Sequence, residues 1–225
     1  MSRINQFIAA STNLSRRAAD AAVAAGRVSV NGTPATLGQT TMPEDEITLD
    51  GSVITPRRLH TYLTLHKPVG YVSSRVRQGN DPTLYELLPP PYHVLRIAGR
   101  LDRDSSGLIV LSDDGEFIQD LTHPKAHKTK IYEITLESPF SASDKQKLEA
   151  GVPLTDGPSV AQVLAVNGKW LQVSLSEGRN RQLRRTFGAL GYTIRRLHRT
   201  RMGTFELGDL APGQWAITSP AGDRL

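Results

Sequence analysis

Apolar and polar positions in the first part of the chain predict a small unit of two helices and a sheet. Ser2 and Ser15 stand where helix-capping residues are preferred, and the two helical patterns end at Ala10 and Gly26. Alternating segments then predict two strands, the first followed by a hairpin turn. The strands and the turn are Val28 to Val30, Glu46 to Leu49 and Asn31-Gly32.

Strands and helices are interleaved in the rest of the chain, without the regular spacing of βαβ units. Apolar or alternating runs predict strands at Tyr62 to Leu65, Ile109 to Leu111, Lys130 to Leu136, Ser159 to Val166, Trp170 to Leu175 and Thr193 to Leu197. Helical patterns follow Asp81-Pro82 through Leu88, cover Ser141 to Ala150 and cover Arg179 to Leu190. This mixture predicts an α+β fold.

A polar, proline-marked connector at residues 55–60 predicts the boundary between two domains. We place a small domain at residues 1–58 and a larger one at residues 59–225.

Composition narrows the function classes. The chain has 225 residues, of which 38% are hydrophobic and 22% charged, so a packed core is expected. Twenty-seven Lys and Arg against 22 Asp and Glu give a net charge of +5, which favours a polyanionic partner. The absence of cysteine and the scatter of six histidines argue against disulfides, thiolate nucleophiles and a metal site. No apolar run is long enough to span a membrane and no leader pattern opens the chain, so the cytoplasm is the expected compartment.

One segment, from Gly99 to Gly115, stands out as a site of chemistry. Polar and flexible residues lead into a solid apolar strand, so that Asp102 is expected on a loop which the strand holds in place. Spacing alone favours a simpler interpretation, in which Asp102 or Asp104 caps a turn and pairs with Arg100 or Arg103.

Longer motifs carry a resemblance to a known family. The string GRLDRDSSGLIVLSDDGEF resembles the GRLDxxTxGLLLLTNDG signature of pseudouridine synthases of the RsuA/RluB/RluE/RluF family, with Ser105 in place of the usual threonine. Further matches in the same order are YLTLHKPVG, KTKIYEITL, EGRNRQLRRTF and LHRTRMGTFELGDLAPGQW. The segment SRRAADAAVAAGRVSVNG resembles the S4-like (alpha-L) RNA-binding domain that this family carries at its N-terminus.

The resemblance implies the roles of several residues. It implies a small S4-like RNA-binding domain followed by a catalytic domain with a mixed, mainly antiparallel sheet and flanking helices. Asp102 is the implied catalytic carboxylate, and Tyr132 the aromatic residue that stacks on the target base. A guanidinium is expected to keep Asp102 ionised in an enclosed pocket. By position we choose Arg184, with Arg179 and Arg181 as alternatives.

Further residues are implied to contact the substrate. Leu183 is expected to pack against the base. Arg100 is expected to support the extruded nucleotide or to occupy the vacated stack, since a uridine inside folded RNA must leave its stack before it can react. Eight arginines lie between Arg179 and Arg201 with no acidic residue among them, a density suited to an RNA backbone. The residues predicted to bind RNA are Arg16, Arg17, Arg27, Arg100, Arg179, Arg181 and Arg185.

The function implied is isomerisation of uridine to pseudouridine in ribosomal RNA or a ribosomal subunit precursor, without cofactor or metal. A monomer is expected, because no exposed apolar stripe is evident in the sequence. The compact N-terminal unit and short tail favour the small-subunit type. A non-catalytic RNA-binding or ribosome-assembly factor on the same scaffold is the alternative. A glycoside hydrolase using Asp102 and Asp104 is disfavoured, because two carboxylates on one short loop are poorly placed to flank a sugar.

Overall fold

A computed structural model describes residues 2–12, 14–55, 60–123 and 128–225. The chain separates into two compact units, one made of residues 1–60 with 113–115 and the other of residues 61–112 with 116–225. The predicted boundary at residues 58 and 59 falls in a segment, 56–59, that lies outside the described residues. In the described ranges we find no helix with the length and apolar character needed to cross a bilayer.

The N-terminal unit consists of two helices and two small sheets. Its helices are α1 (Ile4–Ser11) and α2 (Arg16–Ala24). Its strands are β1 (Ser2–Arg3), β2 (Val28–Val30), β3 (Thr33–Pro34), β4 (Thr40–Thr41), β5 (Ile47–Leu49) and β6 (Ser52–Val53). Strand β1 pairs with β4, and the other four form an antiparallel sheet in the order β3-β2-β5-β6. Apolar residues of both helices and of β2 and β5 form one core.

Local signals in this unit are mostly confirmed. Ser15 caps α2, because its Oγ accepts a hydrogen bond from the Ala18 amide at 3.2 Å. Asn31 and Gly32 both have positive φ, 50° and 78°, and join β2 to β3 as the hairpin signal predicts. The predicted cap at Ser2 is wrong: this residue pairs with Thr41 in a strand, and α1 begins only at Ile4.

The second unit is built around a large sheet. Its strands are β7 (Tyr62–Lys67), β8 (Arg96–Ala98), β9 (Ser106–Ser112), β10 (Lys130–Leu136), β11 (Gln162–Asn167), β12 (Trp170–Leu175), β13 (Ile194–Met202), β14 (Phe205–Glu206) and β15 (Trp215–Thr218). Its helices are α3 (Gly115–Thr122), α4 (Ala142–Ala150) and α5 (Gln182–Ala189), with 3-10 turns at Leu84–Leu87 and Pro90–Val94.

The strands of the large sheet follow the order β11-β12-β10-β13-β9-β7-β15, with β8 beside β9 and β14 beside β13. The β13–β9 pair is parallel and the other described pairs are antiparallel. This sheet, flanked by helices, confirms the predicted α+β class and its mixed, mainly antiparallel sheet. The main core lies on one face, and a smaller apolar cluster that includes Leu108, Met202 and Phe205 packs separately.

A β-bulge in β13 decides which of its side chains share a face. Tyr132 pairs with Arg199, Ile131 with Arg201 and Lys130 with Met202, so Thr200 is an extra residue on β13. Residues directly opposite each other in an antiparallel pair point to the same side of a sheet. Arg199 and Met202, three positions apart, therefore both face the side of Lys130 and Tyr132.

Two predicted helices begin later than their sequence signals indicate. The segment after Asp81-Pro82 is not an α-helix but the short 3-10 turn that follows Thr83, whose amide donates to Glu86 Oε1 at 2.9 Å. The helix predicted from Arg179 begins at Gln182.

Candidate active site

The loop that carries Asp102 connects β8 to β9, and the turn after β7 holds it in place. The Ser73 hydroxyl donates to the Leu101 carbonyl at 2.7 Å and accepts from the Leu101 amide at 3.1 Å. The Gly70 amide donates to the Arg103 carbonyl at 2.8 Å. The backbone on either side of Asp102 is thus fixed by hydrogen bonds, which restricts where its carboxylate can lie.

Lys67 holds the end of the same loop in place through its side chain. Its side chain is completely buried, and Nζ donates to the Ser105 carbonyl at 2.6 Å and the Pro68 carbonyl at 2.9 Å. Burial lowers the pKa of the Lys67 amine to about 8, although the charges of Asp102 and Asp104 oppose this shift. Sequence reasoning did not single out Lys67, whose place directly before the proline of the KPVG turn was the available signal.

A cavity of about 480 Å³ opens beside this loop in the second unit. Six residues predicted to act on the substrate line it: Arg100, Asp102, Tyr132, Arg179, Arg181 and Leu183. Tyr132 is 7% exposed and Leu183 is 4% exposed, and together they give the cavity an apolar wall. The Asp102 side chain is 32% exposed and therefore accessible from the cavity.

The guanidinium that faces Asp102 belongs to Arg181 and not to the chosen Arg184. Arg181 Nη1 lies 3.6 Å from Asp102 Oδ2, and the same side chain makes two hydrogen bonds to the Asp104 carboxylate, at 3.0 and 3.2 Å. Arg184 Nε lies 3.1 Å from Asp104 Oδ2, and its Nη2 donates to the Asp104 carbonyl at 2.8 Å. Arg184 thus holds the loop through Asp104, whereas we had predicted that it would face Asp102.

The backbone places Arg181 in this position through an unusual conformation. Arg181 is the residue before α5 and has φ 45° and ψ 32°, in the left-handed region that residues other than glycine rarely adopt. Such conformations cost of order 1 kcal/mol or more and are concentrated at functional sites. Here the conformation accompanies contacts to two carboxylates of the candidate loop.

Asp104 is held as an anion between the two arginines. Its partial burial favours the neutral form, but the hydrogen bond from Arg181 and the charges of Arg184 and Arg181 outweigh burial and lower the pKa of Asp104.

Arg179 and Arg185, both predicted to bind RNA, are engaged with Asp156. Arg179 Nη1 donates to the Asp156 carboxylate and to the Gly157 carbonyl, each at 2.8 Å. Arg185 makes two hydrogen bonds to the Asp156 carboxylate at 2.8 and 2.9 Å. Both guanidinium groups therefore tie the 156–158 loop to the start of α5, and this arrangement does not favour a direct role in RNA binding.

The arginines predicted in the N-terminal unit differ in their surroundings. Arg16 and Arg17 are exposed in the first turn of α2. Arg27 is exposed as well, but its Nε donates to Asp50 at 2.8 Å, so that part of its charge is neutralised within the unit.

Two buried cations also line the cavity, and sequence reasoning did not identify them as site residues. They are Lys130 and Arg199, which are 8% and 1% exposed. Lys130 stands two residues before Tyr132 on β10, and Arg199 lies opposite Tyr132 on β13. The alternation around Tyr132 was a signal for Lys130, whereas the bulge at Thr200 hid the orientation of Arg199.

The site combines a carboxylate, an aromatic ring, an apolar side chain and several guanidinium groups around one cavity. Such a set can bind a planar base next to a reactive carboxylate and can bind phosphate groups through its cations. Among the described side chains, no group of three histidines, aspartates or glutamates is arranged to hold a metal ion.

Comparisons with known proteins agree with this chemistry. Residues 61–189 match the family described as RNA pseudouridylate synthase, and residues 2–47 match the S4 domain. The chain is 34% identical over 218 residues to a ribosomal small subunit pseudouridine synthase A of Yersinia pestis, an alignment that covers 95% of this chain and 93% of the relative. It is also 34% identical over 220 residues to the Escherichia coli K12 protein with the same description, covering 95% and 94%.

The fold is similar to that of a crystal structure of a pseudouridylate synthase. The two chains share 31% identity with a TM-score of 0.71, and the match covers 97% of this chain and 96% of the other.

Proposed function

The chain belongs to the RNA pseudouridylate synthase family, and we propose that it converts a specific uridine of ribosomal RNA to pseudouridine with Asp102 as its catalytic carboxylate. The observation that carries this proposal is the convergence of Asp102, Arg181, Tyr132 and Leu183 on one cavity. The similarity to small-subunit enzymes along nearly the whole chain supports RNA of the small subunit, free or in a precursor particle, as the substrate.

The reaction breaks the bond between uracil N1 and ribose C1′, turns the base over and forms a bond between C5 and C1′. The proton on C5 is released and N1 gains one, so the RNA keeps its composition. Asp102 acts at C1′ or C6 as a nucleophile or as a charge that stabilises the separated sugar. Arg181, whose Nη1 lies 3.6 Å from Asp102 Oδ2, places a positive charge beside this carboxylate and orients it.

The remaining residues bind and orient the base. Tyr132 stacks on the uracil, and Leu183 packs against it from α5. Their burial supports this role, because a dry wall strengthens the interactions of Asp102 and keeps water from the separated sugar. Arg100, exposed at the mouth of the cavity, supports the extruded nucleotide.

Release of tritium from ribosomal RNA labelled at uracil C5 tests the proposal, because C5 loses its hydrogen when it bonds to C1′. The wild-type chain is expected to release tritium, and Asp102→Asn to be about 10³-fold slower or worse. The variant should keep its fold and its affinity for RNA, since it changes one charge on a partly exposed side chain. Asp104→Asn, which weakens the Arg181 and Arg184 contacts, serves as the comparison and should lose about tenfold.

Two results would contradict the proposal. Full activity of Asp102→Asn would exclude this residue as the catalytic carboxylate. If the wild-type chain binds RNA of both subunits and of precursor particles but releases no tritium from any of them, the chain is instead a non-catalytic RNA-binding factor. Mapping pseudouridines in ribosomal RNA from cells with and without the gene identifies the modified uridine.

A further inference from the structure

Arg199 is a buried cation for which the described part of the protein supplies no counter-charge. Its side chain lines the cavity, and Nε donates to the Leu108 carbonyl at 2.9 Å. Its Nη2 atom is buried and has no hydrogen-bond partner among the described residues. A guanidinium cannot lose its proton in a protein, so burial leaves it with an unsatisfied donor and an uncompensated charge.

The neighbouring arginines differ from Arg199, because each of them has a carboxylate partner. Each of the other seven arginines between 179 and 201 lies within 4 Å of a carboxylate oxygen. Arg199, the most buried of the eight, has no such carboxylate in the described ranges. Burying a charge without an oppositely charged partner is costly. A buried, unpaired cation therefore favours a site where a ligand supplies the missing partner.

Lys130 places a second buried cation on the same wall. Its Nζ donates to the Lys128 carbonyl at 3.2 Å, which uses one of the three donors of an ammonium group. Burial lowers the pKa of the Lys130 amine, and the nearby charge of Arg199 lowers it further, although Glu177 opposes both. Lys130 precedes Tyr132 by two positions on β10, and Arg199 is the cross-strand partner of Tyr132. The two cations therefore lie beside the residue proposed to stack on the base.

We propose that Arg199 and Lys130 form an anion subsite that binds a phosphodiester group next to the uridine extruded into the cavity. This inference rests on the proposed function. A phosphodiester fits better than a uracil carbonyl, because two desolvated cations need a full negative charge and the base is neutral. Charge-assisted hydrogen bonds from a guanidinium and an ammonium to phosphate oxygens are the strong kind.

Uridine and its 3′- and 5′-monophosphates are the probes for this subsite. Each is titrated into the full-length chain, and binding is followed by the chemical shifts of the ligand. The wild-type chain is expected to bind at least one monophosphate about tenfold or more tightly than uridine. Arg199→Met and Lys130→Met should each bring the affinity for that monophosphate close to the affinity for uridine, while leaving the affinity for uridine unchanged.

Arg195→Met is the matched control, because Arg195 is an exposed arginine of the same strand that pairs with Glu137. It should preserve the preference for the monophosphate. The subsite would be excluded by a wild-type chain without that preference, or by variants that retain it. An equal loss for uridine and for the monophosphate would assign the contact to the base and would also exclude the proposal. If Arg199→Met does not fold, Lys130→Met alone decides the outcome.

The tritium assay separates this inference from the proposed function. A wild-type chain that releases tritium but does not distinguish uridine from its monophosphates refutes the subsite alone. A chain that prefers the monophosphate but releases no tritium refutes the enzyme and leaves an anion site.

Discussion

At the scale of single residues, Lys67 acts on the candidate site through the loop that it holds. Lys67 does not line the cavity itself, but its hydrogen bond to the Ser105 carbonyl fixes the backbone that follows Asp102. A carboxylate that is displaced by about 1 Å can lose about 10²-fold in rate, even if the site still binds its substrate. Lys67 is therefore a positioning residue.

We expect Lys67→Met to lower the turnover of tritium-labelled RNA by about 10- to 100-fold while changing the affinity for RNA little. Methionine fills a similar volume but leaves the Ser105 carbonyl without its donor. Single-turnover rates and filter binding distinguish the two effects. A variant with normal turnover, or one that loses affinity and turnover equally, would show that Lys67 does not act by placing the loop.

A second residue-scale prediction concerns pH. The Asp144 carboxylate accepts hydrogen bonds from Lys147, Ser141 and Tyr192, which lower its pKa from 3.8 to about 2. Because the pKa is lower in the folded chain, ionised Asp144 stabilises the fold above about pH 4, and this contribution is lost as the pH falls towards 2.

Urea unfolding at several pH values between 2 and 7 measures this contribution. The free energy of unfolding should fall less steeply below pH 4 in Asp144→Asn than in the wild-type chain, and the variant should be less stable at pH 7. Identical pH dependence in both proteins would show that these contacts do not stabilise the ionised carboxylate.

At the scale of elements, the parallel pair β9–β13 depends on one glycine. A Cβ atom at Gly107 would lie 2.2 Å from the Arg199 carbonyl oxygen, and Gly107 has φ 113°. Since the clash is with backbone, the two strands would have to separate. Strand β13 carries residues that line the cavity, and β9 follows directly on the loop of Asp102.

We expect Gly107→Ala to destabilise the protein by more than about 3 kcal/mol or to prevent folding, as measured by chemical denaturation. Gly188→Ala is the control, because this glycine lies within α5 and a Cβ there meets nothing within 4 Å. The control should stabilise the chain by about 0.5–1 kcal/mol. A Gly107→Ala variant as stable as wild type would contradict the close approach of the strands.

Elements with a clear period were predictable from the sequence, and those governed by side-chain contacts were not. Lys130–Leu136 and Trp170–Leu175 match their predicted bounds, since alternation is visible without knowledge of the partner strand. The start of α5 was misplaced because Arg181 adopts a left-handed conformation that no local signal indicates.

In the candidate site, likewise, the residues within motifs were predictable from the sequence and the contacts between side chains were not. The motif around Asp102 located the loop, and Tyr132 and Leu183 followed from the family resemblance. The pairing of Arg181 with Asp102, and of Arg184 with Asp104, depends on how α5 docks on the loop. Sequence spacing leaves such a choice between neighbouring arginines open.

At the scale of the whole molecule, the charge of the N-terminal unit bears on how the chain binds RNA. Arg16 and Arg17 are exposed, while Arg27 forms an ion pair with Asp50. Arginines that neutralise phosphates release counterions, so their removal reduces the salt dependence of binding.

We expect the double variant Arg16→Gln, Arg17→Gln to reduce the slope of log affinity against log salt by about 1.4, or about 0.7 for each phosphate contact with single-stranded RNA. Arg27→Gln should change the slope less, because its charge is partly neutralised. Fluorescence anisotropy with ribosomal RNA at several salt concentrations measures both. An unchanged slope in the double variant would remove these arginines from the RNA interface.

Oligomeric state is also decided at this scale. We predicted a monomer from the sequence, where no exposed apolar stripe is evident. The structure exposes Leu164 and Val166 on the edge strand β11, at 50% and 44%. An apolar edge strand can pair with another chain. We retain the prediction of a monomer, and light scattering coupled to size exclusion tests it, since a dimer through β11 would double the mass.

The bulge in β13 also determines which changes of chain length this strand tolerates. With Thr200 removed, the residues on either side would continue a regular ladder opposite Tyr132, Ile131 and Lys130, and each would keep its face. A deletion within the neighbouring ladder, at His198 for example, would instead move the side chains of the preceding residues of β13 to the opposite face of the sheet. Related chains aligned to this one should therefore accept a one-residue gap at Thr200 far more readily than at its neighbours.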